Sequence, residues 1–559
     1  MATKIYSVAS RTRPTPDPDV SIDVGIVDVP QSQPLDETQV ENSAGGFVYE
    51  TGSDTHLNRF LILGSDSQTY YTTAQDLTKQ NVGFIRELLR KNGPATIMQV
   101  VAVSESGRAP KNDPAILVLA LAFEVGDLVT KAVAAQALPK ICRTGYHLFR
   151  FVEFVNGLRG WGRGLRKAVG NWYTSQSPSH LAFQVTKYQQ REGWSHRDVL
   201  RLAHTKPEEK DIQKILRYVV KGELPYSTFV YPSNGGAPTY ETDAFAVIHG
   251  MENVKKYDKA RDVAHDIEAY GLQREHIPTQ FLNSTEVWEA LLAKMPATAL
   301  IRNLSKLGSL KMLDSLDDTT KLVLDKLHDH QGLIKARVHP ITLLSALRVY
   351  EGGHGLKGSL SWKPNSRVSA ALEEAFYGTF KSVEPTGKRI MLALDVSGSM
   401  GGGVVAGVPG LTPRDACAAM ALVTNKVEDR VIVKAFTTSL TDFPIDPRAT
   451  IKSVIEAMAR QPYGGTDCSQ PMVWARQTRT PIDTFVIYTD NETWTGGVHP
   501  SKALQHYRKD TGIDAKLAVI AFTSTGFSIA DTNDSGMMDF VGFDSAVPQV
   551  LGMFMKGEV

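Results

Sequence analysis

Ile390-Met391-Leu392-Ala393-Leu394-Asp395-Val396-Ser397-Gly398-Ser399 is the stretch on which the fold turns. Five apolar residues run without alternation into a carboxylate, and a loop of small polar residues follows. An unbroken apolar run of this length reads as a strand buried on both faces, the kind found in parallel sheets. Comparable runs recur at Val431–Phe436, 485–488 and 517–522. Helical patterns lie between them at 416–427, 451–458, 471–476 and 501–507. Alternation of buried strands with helices predicts a doubly wound α/β domain over residues 386–559.

In such a sheet, ligands bind beyond the carboxyl ends of the strands. The loop after the first strand has the form D-x-S-x-S, placing Asp395, Ser397 and Ser399 there. A carboxylate and two hydroxyls are hard oxygen donors, suited to Mg²⁺ or Mn²⁺ rather than a soft metal. Alone the motif is weak, because many such strings are solvated loops. Two further segments give it context: Gly464-Gly465-Thr466-Asp467 before a helix, and Asp490 just past the apolar run 485–488. Asp395, Ser397, Ser399, Thr466 and Asp490 together resemble the metal-ion-dependent adhesion site of von Willebrand A domains. That resemblance implies a divalent cation, Mg²⁺, bound directly by Ser397, Ser399 and Thr466 and partly through water by the two aspartates. It leaves one position open for a carboxylate or another anion. An A-type fold with no metal in it is the bland alternative. The Gly-rich segment 401–407 lacks the Gly-Lys-Ser/Thr of a phosphate-binding loop. Asp531-Thr532-Asn533-Asp534-Ser535-Gly536 opens like a calcium loop, but its twelfth position is Gly542 where a bidentate Glu is needed, so it reads as a turn.

Upstream of about residue 385 the character is helical. Apolar residues recur three and four apart at 82–89, 115–123, 129–137, 287–292 and 343–347. Breakers interrupt them, as at Lys91-Asn92-Gly93-Pro94 and Lys221-Gly222. Many short helices with short turns predict stacked helical pairs over residues 41–385. Residues 1–40 read as a flexible leader, since 11–42 is rich in Pro, Asp, Ser and Gln. The apolar run 115–123 is too short to cross a bilayer, which takes about 20 residues. No apolar segment follows Met1, and Cys142, Cys417 and Cys468 form no CxxC pair. A reducing, cytoplasmic setting is expected, with no membrane partner.

The formal net charge is +1, so any polyanion-binding surface must be local. Residues 143–201 hold such a local excess: Arg143, Arg150, Arg159, Arg163, Arg166, Lys167, Lys187, Arg191, Arg197 and Arg201 against Glu153, Glu192 and Asp198. At 100° per residue, Leu165, Val169 and Trp172 share one helical face, and Arg163, Arg166 and Lys167 share the opposite one. Lys187 and Arg191, four apart, face away from Val185, although Phe183 sits off that stripe. Ser195 with Asp198 forms a capping box for a third helix. There Val199, Leu202 and Ala203 make the core stripe, and Arg197, Arg201 and His204 lie opposite. Cations on three consecutive helices can neutralise phosphates. A solvated charged face is the competing reading. Trp172, Tyr173 and Trp194 read as core rather than as base-stacking platforms.

Long matching stretches make the chain similar to the Ro ribonucleoprotein family, in which a TROVE module precedes a von Willebrand A-like domain. They include Leu57-Asn58-Arg59-Phe60-Leu61, Trp161-Gly162-Arg163-Gly164-Leu165-Arg166-Lys167-Ala168, Gly193-Trp194-Ser195-His196-Arg197-Asp198, Gly464-Gly465-Thr466-Asp467-Cys468-Ser469 and Thr489-Asp490-Asn491-Glu492-Thr493. The resemblance implies a ring of HEAT-like helical repeats closed by the A-like domain. It implies small structured non-coding RNAs (Y or Y-like RNAs) on the basic outer surface, and single-stranded 3′ ends of misfolded RNAs in a central hole. It implies an exoribonuclease partner such as polynucleotide phosphorylase. Family RNA contacts carry over to Lys187, Arg191 and His204. The leader and the shortened connection around 221–235 depart from the vertebrate pattern and point to a bacterial or phage relative. The leading expectation is a non-catalytic RNA-binding scaffold in RNA quality control. The alternative is an adaptor whose metal bridges to an acidic protein ligand. A metal-dependent nuclease would need clustered carboxylates, whereas the motif offers two carboxylates and three hydroxyls.

Overall fold

The computed structural model describes residues 28–64, 74–225, 244–356, 359–380, 384–408 and 410–559. The first part of the leader (1–27) and most of the connection after Lys221 lie outside these residues. Among the described residues there are eleven strands. β1 (Gln39–Glu41) and β2 (Phe47–Glu50) precede the helices, and β3 (Gln190–Arg191) and β4 (Trp194–Ser195) form a small hairpin among them. The C-terminal part contains β5 (Ile390–Asp395), β6 (Val431–Phe436), β7 (Leu440–Asp442), β8 (Thr484–Thr489), β9 (Lys516–Ala521), β10 (Phe527–Ser528) and β11 (Met537–Val541).

The C-terminal sheet has the order β11-β9-β8-β5-β6-β7. Every pair in it is parallel except the edge pair β6–β7. β5 and β8 are buried along their whole length, as their unbroken apolar character requires. From β5 the chain first adds β6 on one side and later β8 on the other. The carboxyl end of β5 is thus the point where strand order reverses, the position that favours a ligand site. Thr412 and Asp415 form a capping box that starts the helix Pro413–Val427, which packs on β5 and β8.

The described residues from Ser53 to Gly378 are mainly helical, with the β3–β4 hairpin among them. Neighbours in space are helices one to three apart in sequence. The helix Ala74–Ser106 packs on Asp113–Val125 and Leu128–Ile141, Leu128–Ile141 on Arg163–Thr174, and Arg163–Thr174 on His196–Ala203. The same rule continues through Ala297–Ser309 on Pro340–Gly352 and Asp318–His328 on Ser366–Gly378. These are the stacked pairs expected from the periodicity. The breaker at 91–94 kinks its helix instead of ending it: Asn92 leaves helical geometry (φ −152°, ψ 60°). Gly93 is needed there, since a Cβ would stand 2.2 Å from Thr130 Oγ1. Lys221 does end a helix, with Gly222 left-handed at φ 77°.

The array closes on itself. His339 Nε2 lies 2.9 Å from the Arg108 carbonyl oxygen, joining the last quarter of the array to its first. Both ends also land on the sheet domain. Arg59 pairs with Asp539 and Arg108 with Asp544 on one side. On the other, Arg348 approaches Asp415 at 3.7 Å and Glu373 accepts the Ile451 N–H at 3.1 Å. The result is a helical ring completed by the α/β domain.

Two boundaries differ from expectation. Residues 28–40 were expected within a flexible leader, yet they are docked on the α/β domain, with Gln31 fully buried. Residues 41–50 were expected with the helices, but β2 pairs antiparallel with both β1 and β10 of the α/β domain. The buried residues of this strap include Gln31, Gln39 and Asn42, whose polarity hides it from hydrophobic patterning.

Candidate metal centre and nucleic-acid interface

The five candidate metal residues are all buried at the carboxyl edge of the sheet, each at most 4% exposed. Asp395 is the last residue of β5. One of its oxygens accepts the Ser397 N–H at 2.9 Å, and the other accepts the Thr489 hydroxyl at 2.7 Å. The Ser397 and Ser399 hydroxyls stand 3.0 Å apart. The Ser399 hydroxyl also donates to Asp490, which in turn accepts the Glu492 N–H at 3.1 Å. Thr466 sits on the adjacent loop, whose carbonyl oxygen accepts the N–H groups of Trp494 (3.1 Å) and Thr495 (3.2 Å). Its own buried hydroxyl has no partner among the described residues. An unsatisfied buried hydroxyl is costly, and a cation is one way to satisfy it.

The electrostatics agree. Burial, then the charge of Asp490, raises Asp395 above the usual carboxylate range, and burial raises Asp490. Burial and Asp490 push Glu492 up to about 8. Such a group of acids gains from a nearby positive charge. Among the described residues no three of His, Cys, Asp or Glu gather closely enough to hold an ion by themselves. The donor set is therefore two carboxylates and three hydroxyls, a fit for a hard divalent cation. Sequence reasoning missed Thr489, Glu492 and Arg414. Arg414 is 6% exposed, with Nη2 3.5 Å from the Ser397 carbonyl oxygen. The 531–536 segment is a turn into β11, with Arg508 bound to Asp534.

Of the expected cations, Arg163, Arg166 and Lys167 are exposed on the helix Arg163–Thr174, whose Leu165, Val169 and Trp172 are buried. Arg197 and Arg201 are exposed on His196–Ala203, and His204 caps that helix with φ 51°. The two helices are packed together. Tyr173 OH and His196 Nδ1 lie 2.9 Å apart, and Gly170 faces Thr205. None of these six basic residues forms an ion pair among the described residues. The Ser195–Asp198 capping box is present. The core stripe of this helix uses Leu200 rather than Leu202. Trp172 and Tyr173 are core residues, and Trp194 is half-buried.

The middle segment differs from expectation. Its helix, Pro178–Lys187, stops at Lys187, and Arg191 stands on β3. Helical spacing therefore does not relate the two. Lys187 is half-buried, 4.0 Å from Glu275 and over the Phe183 ring. Arg191 is exposed, and its guanidinium donates to the neighbouring Gln190 carbonyl oxygen at 2.6 Å. Three of the ten counted cations are also internal ties. Arg143 bonds Ser104, Arg159 bonds the Phe123 carbonyl oxygen, and Arg150 pairs with Asp113, Glu153 and Glu192.

The TROVE domain family matches residues 40–348, and the Ro60 vWA domain family matches residues 389–555. The chain is 41% identical to the RNA-binding protein RO60 of Deinococcus radiodurans, over 95% of this chain and 98% of that one. It is 34% identical to the RNA-binding protein RO60 of Caenorhabditis elegans, over 100% and 97%. The crystal structure of the Deinococcus radiodurans RO (RSR) protein superposes with a TM-score of 0.69 at 40% identity, covering 91% of this chain and all of that one. Among the described residues no helix is long and apolar enough to cross a membrane.

Proposed function

The chain belongs to the Ro60 family, a TROVE domain followed by a Ro60 vWA domain, and from that membership we propose that it is a non-catalytic RNA-binding scaffold. Small structured RNAs of the Y or Y-like class bind the outer face formed by the helices Arg163–Thr174 and His196–Ala203. One observation carries this reading: two packed helices bury their apolar faces and present Arg163, Arg166, Lys167, Arg197 and Arg201 without carboxylate partners among the described residues. Unpaired cations on one face release counterions when they meet phosphates. Lys187, Arg191 and His204 add further RNA contacts in this reading. Single-stranded 3′ ends of misfolded RNA occupy the centre of the ring, and an exoribonuclease such as polynucleotide phosphorylase acts on RNA that the scaffold presents in the cytoplasm.

A Mg²⁺ ion would be held by Asp395, Ser397, Ser399, Thr466 and Asp490, where it supplies Lewis-acid attraction for an anionic ligand. Two carboxylates are too few for a two-metal nuclease centre, and the unsatisfied Thr466 hydroxyl supports metal binding rather than an empty core. An electrophoretic mobility-shift titration with a small structured RNA tests the scaffold reading. The Arg166→Glu/Arg201→Glu variant is expected to bind at least about tenfold more weakly, since each lost phosphate contact weakens binding at every sequence. Undiminished affinity would remove the basis of the RNA assignment. Labelled RNA should stay intact with pure protein and Mg²⁺; degradation that Asp395→Ala abolishes would make the protein a nuclease.

A further inference from the structure

The strap at residues 28–50 crosses the two loops that carry Thr466 and Asp490. Gln31 is fully buried and uses its whole carboxamide there. Its Nε2 donates to Asp467 Oδ1 at 2.8 Å and to the Val498 carbonyl oxygen at 2.8 Å, and its oxygen accepts the Thr493 hydroxyl. Backbone bonds run the same way, from Gln31 N–H to the Gly496 carbonyl oxygen at 2.9 Å. Asn42, 5% exposed, donates to the Thr493 carbonyl oxygen at 2.8 Å. The Ala44 N–H reaches Glu492 at 3.1 Å. Gly46 lies so close that a Cβ would stand 1.9 Å from the Thr493 carbonyl oxygen.

These contacts fall on residues adjacent to the metal donors. Asp467 follows Thr466, and Glu492 and Thr493 follow Asp490 by two and three positions. Thr493 Oγ1 also lies 3.3 Å from the Thr466 carbonyl oxygen, so the strap holds a residue that bridges both loops. Residues 28–39 fall outside both matched domain ranges, 40–348 and 389–555. Gln31 spends every side-chain polar atom on these loops, while Asn42 donates to them and its oxygen accepts the strap's own Ala44 and Gly46 N–H groups at 3.0 and 2.9 Å. Burying two such carboxamides is costly unless strap and loops are held in one arrangement.

We propose that the strap is an integral part of the metal centre, with Gln31 and Asn42 as positioning residues that set the loops of Thr466 and Asp490. Metal binding and strap docking are then one coupled equilibrium, and each strengthens the other by the same factor. Because the strap continues through β2 into the first helix of the ring, the coupling extends to the RNA-binding half of the molecule. This rests on the reading of the five residues as a divalent-cation site.

The test uses the full chain and Mn²⁺ as probe. Calorimetry and electron paramagnetic resonance give the Mn²⁺ affinity of the wild type, Asp395→Asn and Gln31→Ala/Asn42→Ala. The strap variant is expected to bind at least tenfold more weakly, and Asp395→Asn not at all. Hydrogen exchange on the wild type supplies the second arm, independent of how the variant folds. Saturating Mn²⁺ should slow exchange at Gln31, Ala44 and Phe47 at least threefold. Mn²⁺ binding by the wild type with neither effect overturns the coupling and leaves the metal site standing. No Mn²⁺ binding by the wild type overturns both.

Discussion

Arg59 has a fully buried side chain, so its charge must be matched where it lies. It makes a bidentate pair with Asp539 on β11 and donates to the Thr525 and Phe527 carbonyl oxygens, both at 2.7 Å. Ser528 supplies a further hydrogen bond to the same carboxylate at 2.6 Å. One side chain thus ties the first ring helix to the sheet edge. Removing one partner of a buried pair leaves the other uncompensated, which costs about 3–5 kcal/mol, whereas replacing both with apolar residues is often neutral. Arg59→Met should therefore lower the urea midpoint strongly, and Arg59→Met/Asp539→Leu should recover most of the loss. Equal destabilisation by the single and double variants would show that packing, not charge, governs the site. The same residues explain a gap in the sequence reading. Asp539 interrupts an apolar run in Met537–Val541, and nothing local shows that its counter-charge comes from residue 59, so β11 was not legible.

The helix His196–Ala203 shows what local chemistry makes legible. Its start was readable because both halves of the capping box lie three residues apart: Ser195 accepts the Asp198 N–H at 3.3 Å, and Asp198 accepts the Ser195 N–H at 3.1 Å. The buried strands β5, β6, β8 and β9 were equally plain, because burial on both faces leaves mostly apolar residues, the buried Lys434 of β6 being an exception. The hairpin β3–β4 was not readable. Glu192 and Gly193 both take left-handed conformations, φ 53° and 75°, and a Glu gives no warning of that. The strap was hidden because buried carboxamides hold much of it and its apolar core contribution is as short as Val48 and Tyr49. At this scale the capping box yields a prediction. Ser195→Ala removes a bond worth about 1 kcal/mol, so amides from Val199 to His204 should exchange roughly fivefold faster. RNA binding should weaken in step, because Arg197 and Arg201 are presented by this helix. Unchanged exchange would mean that burial of Val199 and Leu200 alone fixes the helix.

The ring as a whole is held by buried neutral imidazoles, and this sets how it responds to acid. His339 shows the arrangement: Nδ1 accepts the Ile341 N–H at 3.2 Å, capping the helix Pro340–Gly352, and Nε2–H donates to the Arg108 carbonyl oxygen. A second proton would have to go on Nδ1, breaking the cap at the place where the array closes. Burial lowers His339 to about 4, and His196 to about 3. Burial also lowers His56, His147 and His276 to about 4, helped by the charges of Arg59, Arg143 and Lys187 in turn. His147 Nδ1, His196 Nε2 and His276 Nε2 have no partner among the described residues to receive a new N–H. In the unfolded chain each imidazole titrates near about 6.5. Between that value and about 4 the unfolded state binds more protons than the folded one, so stability is lost as pH falls through this window and is level above it. Each imidazole contributes up to about 1.4 kcal/mol per pH unit there. The raised carboxyls of Asp395, Asp490 and Glu492 act in the opposite sense, binding protons in the folded state, so the measurement is made with saturating Mg²⁺ to hold them ionised. Thermal midpoints should then drop steeply from pH 6 to 5. His339→Gln should make that drop shallower by about one proton's worth, at the cost of a lower midpoint at pH 7.5. A midpoint that stays level down to pH 5 would show that these histidines are already charged in the native ring.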